Sequence, residues 1–228
     1  MDRETLPSWT SENAEAVCAP RLSSYLFLKR VIDLAAAAIL LVVLGPLILI
    51  LCALIRRESA GPAIFRQTRA GWRARPFTMY KYRTMRTDVD PYGDSPMDGA
   101  DPRLTRIGRK LRETSLDELP QLLNVLRGEM SLVGPRPLYI QQIPEWSPRH
   151  RARLLVKPGM TGLAQINGRG ALTIEQKLEW DVRYVENASL RLDLKILWCT
   201  FINVFRRQGI YEVRYSEKRA RRGADTSE

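Results

Sequence analysis

Two adjacent carboxylates, Asp117 and Glu118, lie in the segment TSLDELPQLLN (residues 114–124), where a helix is predicted to start. Carboxylates can act as nucleophiles, but Ser115 and Glu118 also fit the S-x-x-E capping box. Pro120 bears on the choice, because a proline five residues into a helix would delete an intrahelical hydrogen bond. A proline in the first turn is tolerated, so we predict that the helix begins at Asp117. The residue pattern alone favours capping over catalysis.

The start of a helix is electropositive, and this stabilises an anion there by about 0.3–1 kcal/mol. The sequence therefore predicts a lowered pKa for the two carboxylates, which would keep Asp117 ionised. The same helix end would direct backbone N–H groups towards a bound phosphate.

Basic side chains near rigid turns could hold such a phosphate. Arg136 lies between the two prolines of GPRP (134–137), which restrict the direction of its planar guanidinium, a group suited to phosphate. Lys81 and Arg83 alternate with aromatic residues in YKYRTM, as they would on one face of a strand. A second rigid turn, KPGMTG (157–162), leads to AQINGRG. Each motif alone is equally typical of a solvated loop.

Composition restricts the possible chemistry. The 228 residues include 36 Lys and Arg against 25 Asp and Glu, a formal net charge of +11. This charge favours nucleic acid, nucleotide phosphates or an anionic membrane surface as partners. A single histidine, His150, argues against a His-based zinc site or a Ser-His triad, and three distant cysteines imply no disulfide framework. Catalysis would then depend on carboxylates, on Lys and Arg side chains, and on a cation bound from solution.

An apolar run of 25 residues (31–55) has the length of a membrane segment, which needs about 20 residues. Basic residues flank both ends, and positive charge marks the cytoplasmic side, so both ends favour the same side. Gly45 and Pro46 near the middle permit a break. We therefore predict a re-entrant helix-break-helix over residues 23–57, with a kinked through-span as the alternative.

Asp33, the one charged residue of the apolar run, would pair with Arg30 or with a headgroup cation. Two other helical segments each allow two interpretations. The segment 103–113 sets an apolar stripe among five basic residues, as in a helix on an anionic membrane surface or one packed on the core. The segment 189–205 is apolar on more than one face, as in a buried or an interfacial helix.

The predicted fold is mixed α/β and mostly helical, with a small β-hairpin over residues 63–85. The predicted parts are a loose N-terminal tail (1–22), the membrane segment (23–57), a catalytic domain (58–210) and a basic, disordered C-terminal tail (211–228).

The order of these motifs resembles the bacterial sugar transferase family, the monotopic polyprenyl-phosphate phosphoglycosyl transferases, in its minimal short form. The resemblance covers about residues 26–210. Its motifs are GPAIFRQTRAG, FTMYKYRTM, DPRLTRIGRKLRETSLDELPQLLNVLRGEMSLVGPRP, KPGMTGLAQINGR and DVRYVENASLRLDLKIL.

The resemblance implies transfer of a sugar-1-phosphate from a UDP-sugar to polyprenyl (undecaprenyl) phosphate, with Mg²⁺ as cofactor. This reaction initiates exopolysaccharide, capsule, O-antigen or glycan assembly at the cytoplasmic face of the bacterial inner membrane. By the family pattern, Asp117 forms an aspartyl phosphosugar, Glu118 positions the metal or activates the acceptor, and both carboxylates contact the metal. The substrate-binding candidates are Lys81, Arg83, Arg112, Arg136 and Asp181, with Arg169 as a further one.

The partners expected from the resemblance are the UDP-sugar donor, the polyprenyl phosphate acceptor and membrane lipids, without nucleic acid; a homodimer is left open. Gly170 and Ile174 stand where many relatives have Asn and Trp, in a region expected to influence sugar preference. The competing hypothesis is a basic, membrane-anchored scaffold or inactive family member that binds anionic lipid or partner proteins.

Overall fold

The computed structural model describes the backbone of residues 12–90, 96 and 98–206, and the side chains of that part from residue 25 to residue 204. The predicted C-terminal tail (211–228) lies outside the described residues, as do residues 1–11.

The first helix, α1, spans Glu12–Glu58 and continues through Gly45 and Pro46, the site of the predicted break. Residues 12–22, predicted to be loose, are helical, because the helix extends back from the apolar run through a segment rich in Ala and Glu. The part Tyr25–Glu58 is long and apolar enough to cross a membrane, with a mean hydropathy of 3.2 over its most apolar window. Only 11% of that window is buried, so most of this apolar surface is exposed.

Both ends of the apolar part of α1 are tied to the rest of the protein. Near the start of the apolar part Tyr25–Glu58, Lys29 Nζ forms an ion pair with Asp193 Oδ2 at 2.7 Å. At its end, the Glu58 carboxylate accepts hydrogen bonds from the backbone N–H groups of Arg106 and Ile107 at 2.6 and 2.9 Å. The helix is therefore docked along its length and does not extend away from the protein.

Two polar residues at the edge of the apolar run hold backbone groups elsewhere in the chain. Arg30 donates to the carbonyls of Val125 and Leu126 at 2.6 and 3.0 Å. Asp33 Oδ1 accepts the Leu132 N–H at 3.1 Å, and no Asp33–Arg30 pair occurs among the described residues. Of the two partners predicted for Asp33, Arg30 is not the one observed, because both side chains satisfy backbone groups of the docked domain.

The predicted hairpin is confirmed: β1 (Ile64–Ala70) and β2 (Pro76–Tyr82) pair antiparallel, with Ile64 opposite Tyr82. Side chains alternate between the faces of a strand, so Phe77, Met79 and Lys81 share one face of β2. Phe77 and Met79 are buried against Leu122, and Lys81 continues that face towards the carboxylate pair.

The chain after the hairpin is mostly helical, and its second sheet consists of two short parallel strands, β3 (Ser131–Val133) and β4 (Gly159–Thr161). The described helices are α2 (Arg106–Glu113), α3 (Leu122–Arg127), α4 (Pro148–Arg151), α5 (Leu163–Ile166), α6 (Ile174–Glu186) and α7 (Leu190–Arg206). The 3₁₀ turns are Trp72–Ala74, Leu116–Gln121, Ile140–Glu145, Ala152–Leu155 and Arg169–Ala171.

The apolar stripe of α2 packs on the core. Ile107 and Leu111 contact a buried cluster that includes Leu51 and Ile55 of α1 and Tyr82 of β2. Of the two interpretations of this segment, packing of one stripe on the core is the one observed. α1 and the hairpin supply the apolar surface that the stripe covers.

Helix α7 has two apolar faces with different surroundings. Ile196 is fully buried in a cluster with Val133 and Tyr184. On the other face, Trp198 and Phe201 are 65% and 57% exposed, and their rings stack with centroids 6.2 Å apart. The helix is thus buried on one side and leaves an aromatic surface on the other.

Candidate active site

The carboxylate pair lies in a 3₁₀ turn (Leu116–Gln121) that precedes α3. The predicted start of an α-helix at Asp117 is wrong, because the α-helix begins only at Leu122, after Pro120. Ser115 precedes the turn in the left-handed region, at φ 57° and ψ 15°, and its side chain makes no capping hydrogen bond. The capping box is therefore not formed, and the carboxylates are free of that role.

A buried asparagine fixes α3 against the hairpin. The Asn124 carboxamide accepts the Tyr80 N–H at 3.1 Å and donates to the Thr78 carbonyl at 2.7 Å, as a neighbouring strand would. Its second N–H donates to Glu129 at 2.7 Å. This contact sets the distance between β2 and the turn that carries the carboxylates.

Glu118 contacts a basic side chain from each of two predicted motifs. Its Oε1 accepts from Lys81 Nζ at 3.4 Å and from Arg136 Nη2 at 3.0 Å. The strand β2 and the GPRP turn therefore meet at the second carboxylate of the pair. Asp117 makes no hydrogen bond or ion pair with any described residue and lines a cavity beside Glu118.

The two carboxylates differ in electrostatics. Burial and the adjacent Glu118 raise the pKa of Asp117, against the opposing effect of Lys81 and Arg112. Burial also acts to raise the pKa of Glu118, but Arg136 and Lys81 outweigh it and lower that pKa to about 2. The predicted lowering is thus wrong for Asp117, because burial and a neighbouring charge outweigh a short helical turn.

Two further predicted arginines reach the same cavity. Arg112 Nε donates to Thr84 Oγ1 at 2.8 Å, which directs the guanidinium along the cavity wall. Arg169 Nη2 donates to Ser115 Oγ at 3.0 Å, from a residue with a left-handed φ of 48°. A non-glycine residue in this region is strained, and such strain is concentrated at functional sites.

Arg83 is held mainly by backbone carbonyls. Its guanidinium donates to the carbonyls of Ser59 and Ala60 at 2.6 and 2.7 Å and to Ser59 Oγ at 2.9 Å. The residue is 7% exposed. These contacts tie the end of β2 to the chain that leaves α1. Arg83 also lines the cavity, and its predicted phosphate contact stays a prediction.

Asp181 is also partnered within the protein. Its Oδ2 accepts from Arg153 Nε and Nη2 at 3.0 and 2.8 Å, and both residues are buried. Arg153 donates as well to the carbonyl of Arg136, so the pair supports the GPRP turn. Sequence reasoning missed Arg153, because nothing distinguishes it from the other basic residues of SPRHRARLL (147–155). Asp181 Oδ1 is buried without a hydrogen-bond partner among the described residues.

The predicted site residues all line one cavity of about 1130 Å³: Lys81, Arg83, Arg112, Asp117, Glu118, Arg136, Arg169 and Asp181. Its described lining holds eleven basic and four acidic side chains, so basic groups outnumber acidic ones around the cavity. Such a cavity concentrates anionic ligands, and its volume exceeds that of a typical small-molecule site of about 300–1,000 Å³. The arrangement can hold phosphate groups next to Asp117, a carboxylate without a partner among the described residues.

The pair of carboxylates could hold Mg²⁺ only together with a substrate. Within the described part of the chain, no group of three or more His, Cys, Asp or Glu residues could bind a metal. Mg²⁺ is commonly held by one or two carboxylates plus substrate phosphates. Asp117 and Glu118 fit that arrangement, with the remaining ligands supplied by phosphate oxygens and water.

Known proteins resemble this chain over most of its length. The Bacillus subtilis (strain 168) protein "Uncharacterized sugar transferase EpsL" is 47% identical over 190 residues, which are 83% of this chain and 93% of the relative. A "UDP-glucose:undecaprenyl-phosphate glucose-1-phosphate transferase" of Caulobacter vibrioides is 48% identical, over 74% of this chain and 66% of the relative. The protein of that name in Escherichia coli (strain K12) is 39% identical, over 81% of this chain and 41% of the relative.

The sequence profile of the family described as "Bacterial sugar transferase" matches residues 24–207, which include the carboxylate pair, GPRP and most of α1. The chain therefore belongs to the bacterial sugar transferase family.

Proposed function

We propose that this protein transfers a sugar-1-phosphate from a UDP-sugar to undecaprenyl phosphate through a covalent intermediate on Asp117. One observation carries the proposal: Asp117 lines a cation-rich cavity with no described protein partner, while the adjacent Glu118 is held by Lys81 and Arg136. The enzyme class follows from family membership, and relatives named for this reaction in Caulobacter and Escherichia support the substrates.

In the first half-reaction, an Asp117 carboxylate oxygen attacks the sugar-bearing phosphorus of the donor. The bond between that phosphorus and the bridging oxygen breaks, and UMP leaves with the bond's electron pair. The product is an acyl phosphate in which Asp117 carries the phosphosugar. Carboxylates are established nucleophiles of this kind, and ping-pong kinetics are their mark.

In the second half-reaction, a phosphate oxygen of undecaprenyl phosphate attacks the same phosphorus. The bond from that phosphorus to Asp117 breaks and regenerates the carboxylate, and a diphosphate links the lipid to the sugar. No proton is gained or lost overall between the ionised substrates and products. The first step of an exopolysaccharide, capsule, O-antigen or glycan assembly fits this product.

The basic side chains reduce the repulsion between Asp117 and the donor diphosphate. Arg136 and Lys81 each contact Glu118 and remain within the cavity, where their charge offsets that of the phosphates. Mg²⁺, held by Asp117 or Glu118 and the donor phosphates, would supply further charge neutralisation.

A re-entrant arrangement of α1 fits this reaction. Lys29 near one end and Glu58 at the other both contact the same folded domain, so a through-span would require the domain to contact both sides of a bilayer. A bend at Gly45-Pro46 would instead bring both basic flanks to the cytoplasmic face. The exposed rings of Trp198 and Phe201 suit contact with lipid headgroups at that interface.

The deciding experiment incubates the purified protein with Mg²⁺, undecaprenyl phosphate in nanodiscs and a panel of UDP-sugars that includes UDP-glucose. We expect UMP release with at least one donor, and a phosphosugar adduct on the wild type that is absent from Asp117→Asn. Folded protein that releases no UMP across the panel would favour the scaffold hypothesis. An Asp117→Asn variant with near-normal turnover would exclude Asp117 as the nucleophile.

A further inference from the structure

The cavity is lined from α1 by Arg56 and from α6 by Ile174, Lys177 and Asp181, and side-chain contacts connect these two ends in order. At one end, Tyr82 OH donates to the Ile48 carbonyl of α1. Beside it on β2, Lys81 contacts Glu118, which contacts Arg136. The Arg136 carbonyl in turn accepts from Arg153, the partner of Asp181, at the other end. The carboxylate pair therefore lies between an end at α1 and an end at α6.

The end at α1 adjoins the apolar membrane helix. Ala63, Ile64 and Tyr82 line the cavity and pack in the same cluster as Leu51 and Ile55 of α1. This wall is therefore continuous with the surface that the helix presents to lipid. A substrate whose tail stays in the bilayer can bring its phosphate to the cavity from this side.

Arg56 stands at that entrance. It lies in the last turn of α1, is exposed, and is the one described lining residue that α1 contributes. Its neighbour Arg57 is equally exposed but is not among the described lining residues. A guanidinium at this position is suited to a phosphate monoester that arrives from the membrane surface.

The end at α6 has a different chemistry. Ile174, Lys177 and Asp181 are three and four residues apart, so they share one face of α6, and all three line the cavity. Asp181 Oδ1 is buried there without a described partner. A carboxylate oxygen repels a phosphate but accepts hydrogen bonds from hydroxyl or ring N–H groups, which a nucleoside and a sugar both supply.

We infer that the two substrates enter from opposite ends: the polyprenyl phosphate at the Arg56 end, and the nucleoside diphosphate sugar at the Asp181 end. This inference rests on the proposed function. The two phosphate groups then reach Asp117 from different sides, and the lipid tail never crosses the donor's position. Arg56 binds the acceptor phosphate, and Asp181 accepts a hydrogen bond from the donor.

The test separates the half-reactions in the full-length protein. The first is followed as the burst of UMP from UDP-glucose, or from the donor that the panel identifies, without acceptor. The second is followed as product formation against undecaprenyl phosphate concentration in nanodiscs of fixed composition. The variants are Arg56→Ala, its matched control Arg57→Ala, and Asp181→Asn, with Lys177→Ala as a second variant at the donor end.

We expect Arg56→Ala to keep the UMP burst rate within twofold of the wild-type rate and to raise the acceptor KM at least tenfold. Arg57→Ala should change the burst rate and the acceptor KM by less than threefold each. Asp181→Asn or Lys177→Ala should raise the donor concentration needed for the burst at least fivefold, with an unchanged acceptor KM. Equal effects of Arg56→Ala and Arg57→Ala, or a slowed burst in Arg56→Ala, would overturn the inference. Wild-type protein without any burst would instead refute the proposed function.

Discussion

Glu118 Oε1 accepts a hydrogen bond from Arg136 Nη2 at 3.0 Å, so the arginine of GPRP is charge-balanced by the second carboxylate of the pair. Lys81 contacts the same oxygen at 3.4 Å. One carboxylate thus satisfies two cations, and its neighbour Asp117 is left to face the cavity.

The substitution Glu118→Gln keeps the side-chain shape and removes this charge balance. We expect turnover to fall by about 10²–10³-fold, as when one preorganised electrostatic contact is lost. The free energy of unfolding should fall by about 1–3 kcal/mol, because Lys81 and Arg136 lose the negative charge that balances them. UMP release and denaturant titration in mixed micelles measure the two effects.

The matched control is Glu186→Gln, which removes an exposed ion pair to Arg149. Its effect on unfolding should stay within about 0.5 kcal/mol. A loss in Glu118→Gln no larger than that of the control would mean that Glu118 does not hold the two cations.

The pH dependence of the first half-reaction should report Asp117. Its pKa is raised by burial and by Glu118, and only the ionised carboxylate attacks phosphorus. The UMP burst rate should therefore rise with pH through an apparent pKa above the ordinary aspartate value of about 3.9. In Glu118→Gln the rising part of this pH–rate profile should shift to lower pH. An apparent pKa at or below the ordinary aspartate value in the wild-type profile would contradict the raised pKa.

The same shift predicts a stability difference between wild type and Asp117→Asn. A carboxyl whose pKa is raised by folding holds its proton more tightly in the folded state, so its ionisation opposes folding. Asp117→Asn should be more stable than wild type at neutral pH, and the difference should vanish below about pH 4, where the unfolded group is protonated too. Unfolding titrations at several pH values test this, and a constant difference across them would contradict it.

The Arg153–Asp181 pair should behave as a buried, coupled unit. Arg153→Leu leaves a carboxylate buried without its cation and should lower the free energy of unfolding by about 3–5 kcal/mol. The double variant Arg153→Leu with Asp181→Leu should lose less than Arg153→Leu alone, because no unpaired charge remains. Additive losses in the two single variants and the double variant would show that the residues are not coupled.

Two glycines provide a matched pair for backbone packing. A Cβ at Gly159 would lie 2.1 Å from the Gly134 backbone nitrogen, whereas a Cβ at Gly45 would meet no atom within 4 Å. Gly159→Ala should therefore prevent the GPRP and KPGMTG turns from packing and abolish folded, active protein. Gly45→Ala should give a normal yield. Gel filtration in detergent and UMP release distinguish these outcomes, and a folded, active Gly159→Ala would be contrary to this close approach.

Local pattern and motif order predicted the hairpin, the grouping of Lys81, Arg136 and Arg112 around the carboxylates, and the family. Each depends on alternation along a strand or on a long, specific motif. The 3₁₀ turn was not predicted, because it follows from the left-handed Ser115 and from contacts of Glu118 with residues 37 positions before and 18 positions after it. The role of Arg153 was missed for the same reason: its partners come together only in the folded chain.

The hydrogen bonds from Arg30 and Asp33 to the chain between the carboxylates and GPRP have a practical consequence. These side chains satisfy the carbonyls at the end of α3 and an N–H of β3, so the apolar helix α1 completes the hydrogen bonding of the segment between the carboxylate pair and GPRP. Helix α1 and the domain that carries the carboxylate pair are therefore one folding unit. A truncated version that starts after α1 would not be a soluble enzyme but an incomplete core.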